Sequence, residues 1–545
     1  MKGYEALGSI IKELDISPTF GNPGTTELPM LRSIDKYYLT LHDSIAVGMA
    51  DGYSQYLLKP SLVNLHSVPG LGNSIAFIHT SLKNRAPIII TAGQQDTRHA
   101  VYEPLLYGEL TDMVNGLVKM KYEVRHGNDI PIIMRRAKAI ALTPPMGPVF
   151  VSFPMDVMDE DAEYLPRPHE YIPPNLVDED AVNYVVNALN DAKNPAIVMG
   201  YEVDVFNAFK EAEELAEAIG CPVYAEPLAH RSPFNSNNRR FAGDLLPGST
   251  LINMKLLTHD LILIIGGGIT LYPYLPSPLL PGKHVISVGF DVDPRLGETF
   301  IMNPRMFMGE AAKKVTRKCD YKREEDLLYM NRVARSRAVM GEAAKKVTRK
   351  CDYKREEDLL YMNRVARSRA VMGIDYVMYE VRKIFQGFTI VDESISYSPT
   401  VRSVMGYGHN KYFTAKSGQL GWALSASLGI SIAEKKVLTM VGDGSFMYSV
   451  QGLWTAAKYK LPLKIIVLSN GGYNILKSYA KSYYPELETA DYLNIEAKII
   501  DIAKGFGIEA ETAGKDLREL KWLYEGEDPK LLLINLDRTV QKMFL

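Results

Sequence analysis

The stretch VGDGSFMYSVQGLWTAAKYKLPLKIIVLSNGGYN, residues 441–474, decides how this 545-residue chain is read. An apolar run, KKVLTMV, delivers Gly442-Asp443-Gly444-Ser445. A helical pattern, YSVQGLWTAAKY, follows, and a second apolar run, LKIIVLS, delivers Asn470-Gly471-Gly472. Strand, helix and strand in that order imply a parallel sheet covered on both faces. In open parallel sheets ligands bind beyond the carboxyl ends of the strands. Asp443 falls there, and so, 27 positions later, does Asn470.

Working outward, the same alternation fills the chain. Near the start, YEALGSIIKEL and DSIAVGMADGYSQYL have helical spacing, while YLTLH, SLVNLH, APIIITAG and GPVFVSFP read as strands. A polar, proline-bearing stretch, EYLPRPHEYIPPN (163–175), marks a linker. A second unit runs through AIVMG, the helix VFNAFKEAEELAEAIG, PVYAEP, LILIIGGG and HVISVGF. A third starts near Ile374 with FTIVDES, KKVLTMVGDGS, KIIVLSN and LLLINL as strands. The expected fold is α/β, with three doubly wound parallel-sheet domains at 1–165, 176–307 and 374–545. Residues 308–373 form a linker in which 308–339 returns unchanged as 340–371. Drift blurs old repeats, and a solenoid needs at least three units to bury a core. The identical pair therefore reads as a recent duplication, a solvated, partly helical segment with no chemistry of its own.

Bulk properties exclude several classes. A net charge of −2 gives no footing for nucleic acid, which requires a basic patch. Cys221, Cys319 and Cys351 are too few for a disulfide framework and form no C-x-x-C pattern; two of them are one cysteine duplicated. Apolar runs such as LILIIGGG are far shorter than the roughly 18 residues a membrane span requires, and MKGYEALGSIIKEL lacks the apolar core of a signal peptide. A cytoplasmic protein binding neither membrane nor nucleic acid is expected.

The chemistry concentrates around Asp443. Glycines let the backbone turn tightly and approach a ligand, and a helix beginning there offers free N–H groups to an anion. A carboxylate (Asp443), an amide oxygen (Asn470) and a backbone carbonyl (Gly472) are hard oxygen ligands, suited to Mg²⁺ already holding phosphate oxygens. The residues thus describe a magnesium–diphosphate cradle.

GDGS, the 27-residue interval and SNGG resemble the cofactor motif of thiamine-diphosphate-dependent enzymes, and within them the benzoylformate decarboxylase family. The likeness extends to FGNPGTTELP (20–29), VGMADGYSQ (47–55), VNLHS (63–67), TAGQQ (91–95) and LWTAAKY (453–459). It implies a pyrimidine-binding, a central and a diphosphate-binding domain, in that order, and thiamine diphosphate with Mg²⁺ held between subunits of a homodimer or homotetramer. Asp43 stands where the family has a Glu that activates the cofactor. It is one methylene shorter, so its oxygens draw back by roughly 1.5 Å unless its helix sits closer or a water bridges the gap. His66 matches a proton-shuttling histidine, and Thr25 a serine that binds the substrate carboxylate. A second family histidine is replaced by Pro273, with Tyr272 and Tyr274 as weak substitutes. Ser396, Gly418, Leu420, Gly442, Gly444, Ser445 and Tyr473 are implied cofactor contacts: Leu420 props the bent cofactor, and the Gly418 carbonyl accepts from its amino group.

The implied reaction is decarboxylation of a small 2-oxo acid to an aldehyde. Leu106, Ile475 and Tyr479 line the implied substrate pocket. Ile475 and Tyr479, four apart, share a helix face, and Ile475 replaces a smaller residue, which favours aliphatic substrates. Two alternatives stay open. One is an acetolactate synthase-type carboligase, although GGGITLYPY lacks the arginine that accompanies FAD, so no FAD is expected. The other is a cofactor-binding homologue of weak or no activity.

Overall fold

The structure, a computed structural model, describes residues 1–167, 174–272, 277–316, 353–540 and 543. It contains three six-stranded, all-parallel sheets. The N-terminal sheet comprises β1 (Thr19–Gly21), β2 (Tyr37–Leu39), β3 (Leu62–Leu65), β4 (Ile89–Gln94), β5 (Met120–Glu123) and β6 (Val149–Pro154), ordered β2-β1-β3-β4-β6-β5. The central sheet has β7 (Ala196–Met199), β8 (Val223–Ala225), β9 (Phe241–Asp244), β10 (Leu261–Ile265), β11 (His284–Gly289) and β12 (Glu298–Ile301), ordered β12-β11-β10-β7-β8-β9. The C-terminal sheet has β13 (Thr389–Glu393), β14 (Tyr412–Thr414), β15 (Val437–Gly442), β16 (Leu463–Ser469), β17 (Glu509–Thr512) and β18 (Lys530–Asn535), ordered β14-β13-β15-β16-β18-β17. The first and third sheets therefore share one topology, whose strand order reverses between the first strand and the third. The expected α/β, triply doubly wound class is the observed one.

The chain folds as two compact units. One combines the N- and C-terminal sheets (Met1–Pro173, Glu380–Met405 and Asn410–Leu545); the other holds the central sheet (Pro174–Tyr379 with Gly406–His409). Within the first unit, helix α1 (Asp43–Leu57) follows β2, and α2 (Ser67–Lys83) follows β3. Their counterparts behind β14 and β15 are α3 (Trp422–Ile430) and the short α4 (Asp443–Met447). α1 and α3 cross at very small residues: Gly48 faces Ser425, Gly52 faces the Ala426 backbone, and Gly429 faces the Met49 carbonyl. A continuous core follows, in which Ile45, Val47 and Phe77 pack with Trp422, Leu424 and Leu428, all buried.

One helix departs from the sequence reading. The run from Tyr448 to Tyr459 is not continuous: α4 begins at Asp443 itself, and a separate α5 spans Gly452–Tyr459. Three-residue hydrogen bonds, Tyr448 N–H to Ser445, Ser449 N–H to Phe446 and Gly452 N–H to Ser449, tighten and redirect the chain between them. Most of the duplicated segment lies outside the described residues; Tyr353–Ala370 within its second copy is helical. Among the described residues no helix is long and apolar enough to cross a membrane.

Candidate active site

At the C-terminal sheet, β15 ends at Gly442 and β16 at Ser469, side by side in the ladder. Asp443, 3% exposed, binds the two mouths together. Its Oδ1 accepts from Gly444 N–H (2.9 Å). Its Oδ2 accepts from Ser469 Oγ (2.9 Å), Asn470 N–H (3.1 Å) and Gly471 N–H (2.8 Å). Asn470 donates Nδ2–H to the Tyr397 hydroxyl at 3.1 Å, while its Oδ1 takes Gly472 N–H at 3.3 Å. The Gly472 carbonyl accepts Asn474 N–H at 3.0 Å and keeps a second lone pair. Asp443, at the end of β15, is thus brought against the turn after β16 that carries Asn470 and Gly472, the other two expected metal ligands. That turn is pinned by Ile495 N–H to Gly471 and Tyr473 N–H to Leu493, at 3.0 and 2.9 Å.

Space exists beside this turn. A Cβ added at Gly442 or Gly418 would meet nothing within 4 Å, whereas one at Gly444 would strike the Tyr473 ring. Gly418 lies at φ +77°. Leu420 is partly buried and its carbonyl takes Gln419 Nε2–H at 3.0 Å. Ser396 is partly exposed in a short turn of helix, Ile395–Tyr397. Two features of this turn were not legible in the sequence. The helix at Asp443 is only five residues long, and Asp443 itself consumes the Gly444 amide, so the turn offers fewer free N–H groups than the sequence suggests. The Ser445 hydroxyl faces a buried carboxylate, Glu393, as well as the turn. Glu393 ends β13 and accepts from Gly421 N–H (2.5 Å) and Ala423 N–H (2.6 Å) at the start of α3. Burial pushes its carboxyl up to about 8 against the pull of those amides.

The N-terminal sheet assembles a different group. Asp43 opens α1 and is 4% exposed, and its Oδ1 has no hydrogen-bond partner. That oxygen lies against Gly70, where a Cβ would come within 2.6 Å of it and 3.3 Å of the His66 Cβ, so the two side chains meet over one glycine. His66 stands at the mouth of β3, its Nδ1 2.8 Å from Glu27 Oε2 and 3.3 Å from Thr26 Oγ1. Glu27 is fully buried. It accepts from Gly24 N–H (2.8 Å), Ser67 N–H (3.2 Å), Gly93 N–H (2.9 Å) and Thr26 Oγ–H (2.7 Å). With a carboxylate on Nδ1, that nitrogen carries the proton and Nε2 is left as the basic one.

Other candidates sit as follows. Thr25 is exposed, whereas its neighbour Thr26 is buried in the Glu27 network. The Leu106 carbonyl takes the Ser67 hydroxyl at 2.8 Å, which places Leu106 beside His66's helix. Ile475 and Tyr479 lie partly buried on α6 (Asn474–Tyr483), where Tyr479 packs against Tyr483, ring centres 4.7 Å apart. Tyr272 is partly exposed; Pro273 and Tyr274 lie outside the described residues. No hydrogen bond among the described residues joins the Asp43 group to the Asp443 group. Nor, among those residues, does any cluster of three His, Cys, Asp or Glu side chains form a metal-ligand set; the C-terminal turn offers one carboxylate with neutral oxygens. Glu27, Glu393 and Tyr397 were not anticipated. The available signal was an acid closing each of two strand-end loops, TTEL and VDES.

Comparison with known proteins bears on all three sheets. Residues 1–115, 182–299 and 400–533 match, respectively, the N-terminal TPP binding, central and C-terminal TPP binding domains of thiamine pyrophosphate enzymes, together more than half of the chain. A benzoylformate decarboxylase of Pseudomonas aeruginosa is 28% identical over 524 residues, 93% of each chain. An acetolactate synthase large subunit of Buchnera aphidicola is 22% identical over 93% of this chain and 89% of its own. Among solved structures, a thiamine diphosphate-dependent 4-hydroxybenzoylformate decarboxylase from Rhodococcus jostii superposes with a TM-score of 0.84 at 27% identity, covering 99% of this chain and 100% of that one. A benzoylformate decarboxylase from Polynucleobacter necessarius gives 0.83 at 27% identity, with the same coverage.

Proposed function

This chain belongs to the thiamine pyrophosphate enzyme family, and from that premise we propose that it decarboxylates a 2-oxo acid to an aldehyde, as a homodimer or homotetramer. The residues fit the cofactor. Asp443, Asn470 and the Gly472 carbonyl are three hard oxygens on two adjoining strand-end turns, suited to Mg²⁺, and the space at Gly442 leaves room beside them. Asp43 Oδ1, buried without a donor, costs about 1–3 kcal/mol unless a ligand supplies one. That orphaned oxygen is the observation that carries the reading.

When bound, thiamine diphosphate supplies a carbon nucleophile and the electron sink for loss of CO₂. The chain supplies the rest. Asp443, Asn470 and Gly472 hold the metal, and Ser396, Gly442, Gly444, Ser445 and Tyr473 border the diphosphate. Leu420 and the Gly418 carbonyl orient the ring system. Asp43 Oδ1, buried without a donor, would take a hydrogen bond from the cofactor's ring system. His66, its Nδ1 fixed by Glu27, exchanges protons at Nε2. Thr25 offers a hydroxyl to the substrate carboxylate. Leu106, Ile475 and Tyr479 bound the pocket, and the bulk of Ile475 favours an aliphatic chain.

A panel of 2-oxo acids with Mg²⁺ and thiamine diphosphate, scored for CO₂ and for the organic product, tests this. Release of aldehyde with equimolar CO₂ is expected, fastest for short aliphatic acids. A product containing two substrate skeletons favours the carboligase reading, which the acetolactate synthase relatives support. Cofactor binding with no CO₂ from any acid leaves only the inactive homologue.

A further inference from the structure

Tyr37 opens β2, and its side chain leans two residues along the sheet to the mouth of β1. There the hydroxyl donates to Asn64 Oδ1 on β3 at 3.3 Å. Gly21, the last residue of β1, makes the approach possible: a Cβ at that position would lie 2.1 Å from the phenol oxygen and 2.4 Å from the Asn64 carbonyl. The same carbonyl takes Asn22 N–H at 3.3 Å. The phenol therefore occupies the seam where strand order reverses, and His66 follows Asn64 by two residues. Burial, with the carboxylates of Glu27 and Asp43 nearby, drives the phenol well above its usual range, so it stays a neutral donor.

We propose that Tyr37 is a positioning residue: its hydroxyl ties β2 to β3 across the end of β1 through Asn64 and thereby places the His66 ring against Glu27. The inference rests on the proton-carrying role proposed for His66. The mechanism otherwise leaves this half-buried phenol unused, although it reaches the end of β1 at Gly21 and, through Asn64, the strand that delivers His66.

The test compares Tyr37→Phe, Asn64→Leu and the double variant with wild type, using protein labelled with ¹⁵N at histidine. Each single variant is expected to lower kcat about 10-fold or more, with KM, cofactor affinity and C2-proton exchange of the bound cofactor unchanged. The His66 ring signals of the cofactor-free protein should move from one dominant tautomer toward a mixture. The double variant should be no worse than either single one. His66 signals that stay at their wild-type positions in Tyr37→Phe overturn the proposal, even where thermal stability falls. Because those signals are read without turnover, the proposal survives or fails separately from the decarboxylase reading: a wild type inactive on every acid removes the latter alone.

Discussion

The N- and C-terminal sheets have the same strand order, yet their reversal points are furnished in opposite ways. At the N-terminal seam a buried glutamate, Glu27, gathers three backbone amides and turns what is left of its charge on His66. At the C-terminal seam Asp443 gathers amides from its own turn and from the turn after β16, while Gly442 beside it faces open space. One topology thus yields a filled seam built on a carboxylate–imidazole pair and an open seam with space beside its acid. The strand order sets where a site forms, and the side chains closing each strand set which kind it is.

The sharpest way to break this comparison is at the open seam. Asp443→Asn exchanges a carboxylate for an amide whose NH₂ must face at least one of the four donors around it, so it removes the proposed metal ligand and unsettles the turn together. Mg²⁺-dependent binding of thiamine diphosphate, followed by tryptophan fluorescence, should weaken at least about 100-fold, or some 3 kcal/mol. Unchanged binding would separate the turn from the cofactor. At the filled seam, Glu27→Gln should leave cofactor binding intact and lower kcat by about 100-fold, the smaller end of general acid–base contributions. Should Glu27→Gln weaken cofactor binding as much as Asp443→Asn does, the two seams are not functionally distinct.

The sequence made these seams unequally legible. The Asp443 turn stood out because glycines, an acid and an amide at strand ends need no long-range information. Buried strands β3, β4, β6 and β16 were likewise readable as apolar runs, since parallel strands are covered on both faces. The edge strands β5, β9, β12, β14 and β17 were not: segments such as MKYE and EAET face solvent along part of their length and carry no apolar run. Glu27 was hidden for a different reason. Its partners Ser67 and Gly93 lie 40 and 66 residues away, so its role exists only after β1, β3 and β4 pair. The close crossing of α1 and α3 was equally invisible, because it needs three glycines from two distant segments to meet.

That crossing joins the two sheets, and it offers a smaller test. A Cβ at Gly429 would sit 1.9 Å from the Met49 carbonyl oxygen, with backbone on both sides and no flexible side chain to move away. Gly418 has a left-handed φ but nothing within 4 Å. Gly429→Ala should therefore cost about 2 kcal/mol through overpacking, and Gly418→Ala about 1 kcal/mol through backbone strain alone. Denaturant titration reads both. Equal costs would mean that the helices have room to part, and that the sheets are coupled more loosely than their packing implies.

The smallest effect concerns a charge at the same crossing. Asp51 of α1 is fully buried and accepts from Gln55 Nε2–H at 2.5 Å and Asn84 Nδ2–H at 3.4 Å, with Ser81 and the indole of Trp422 facing it from α2 and α3. Burial raises its carboxyl to about 6 from an ordinary 3.8, against the pull of those donors. Between the two values the folded chain keeps a proton that the unfolded chain has released. The stabilisation is complete below 3.8 and is lost as the pH climbs past 6. From pH 5 to pH 7 wild type should lose about 1 kcal/mol more than Asp51→Asn does, a difference that cancels every other titrating group. Glu27, enclosed by amides, and Asp51, enclosed by weaker side-chain donors, are both buried acids of the N-terminal half. If the pH slopes of wild type and Asp51→Asn coincide, Asp51 keeps its charge despite its burial at the crossing.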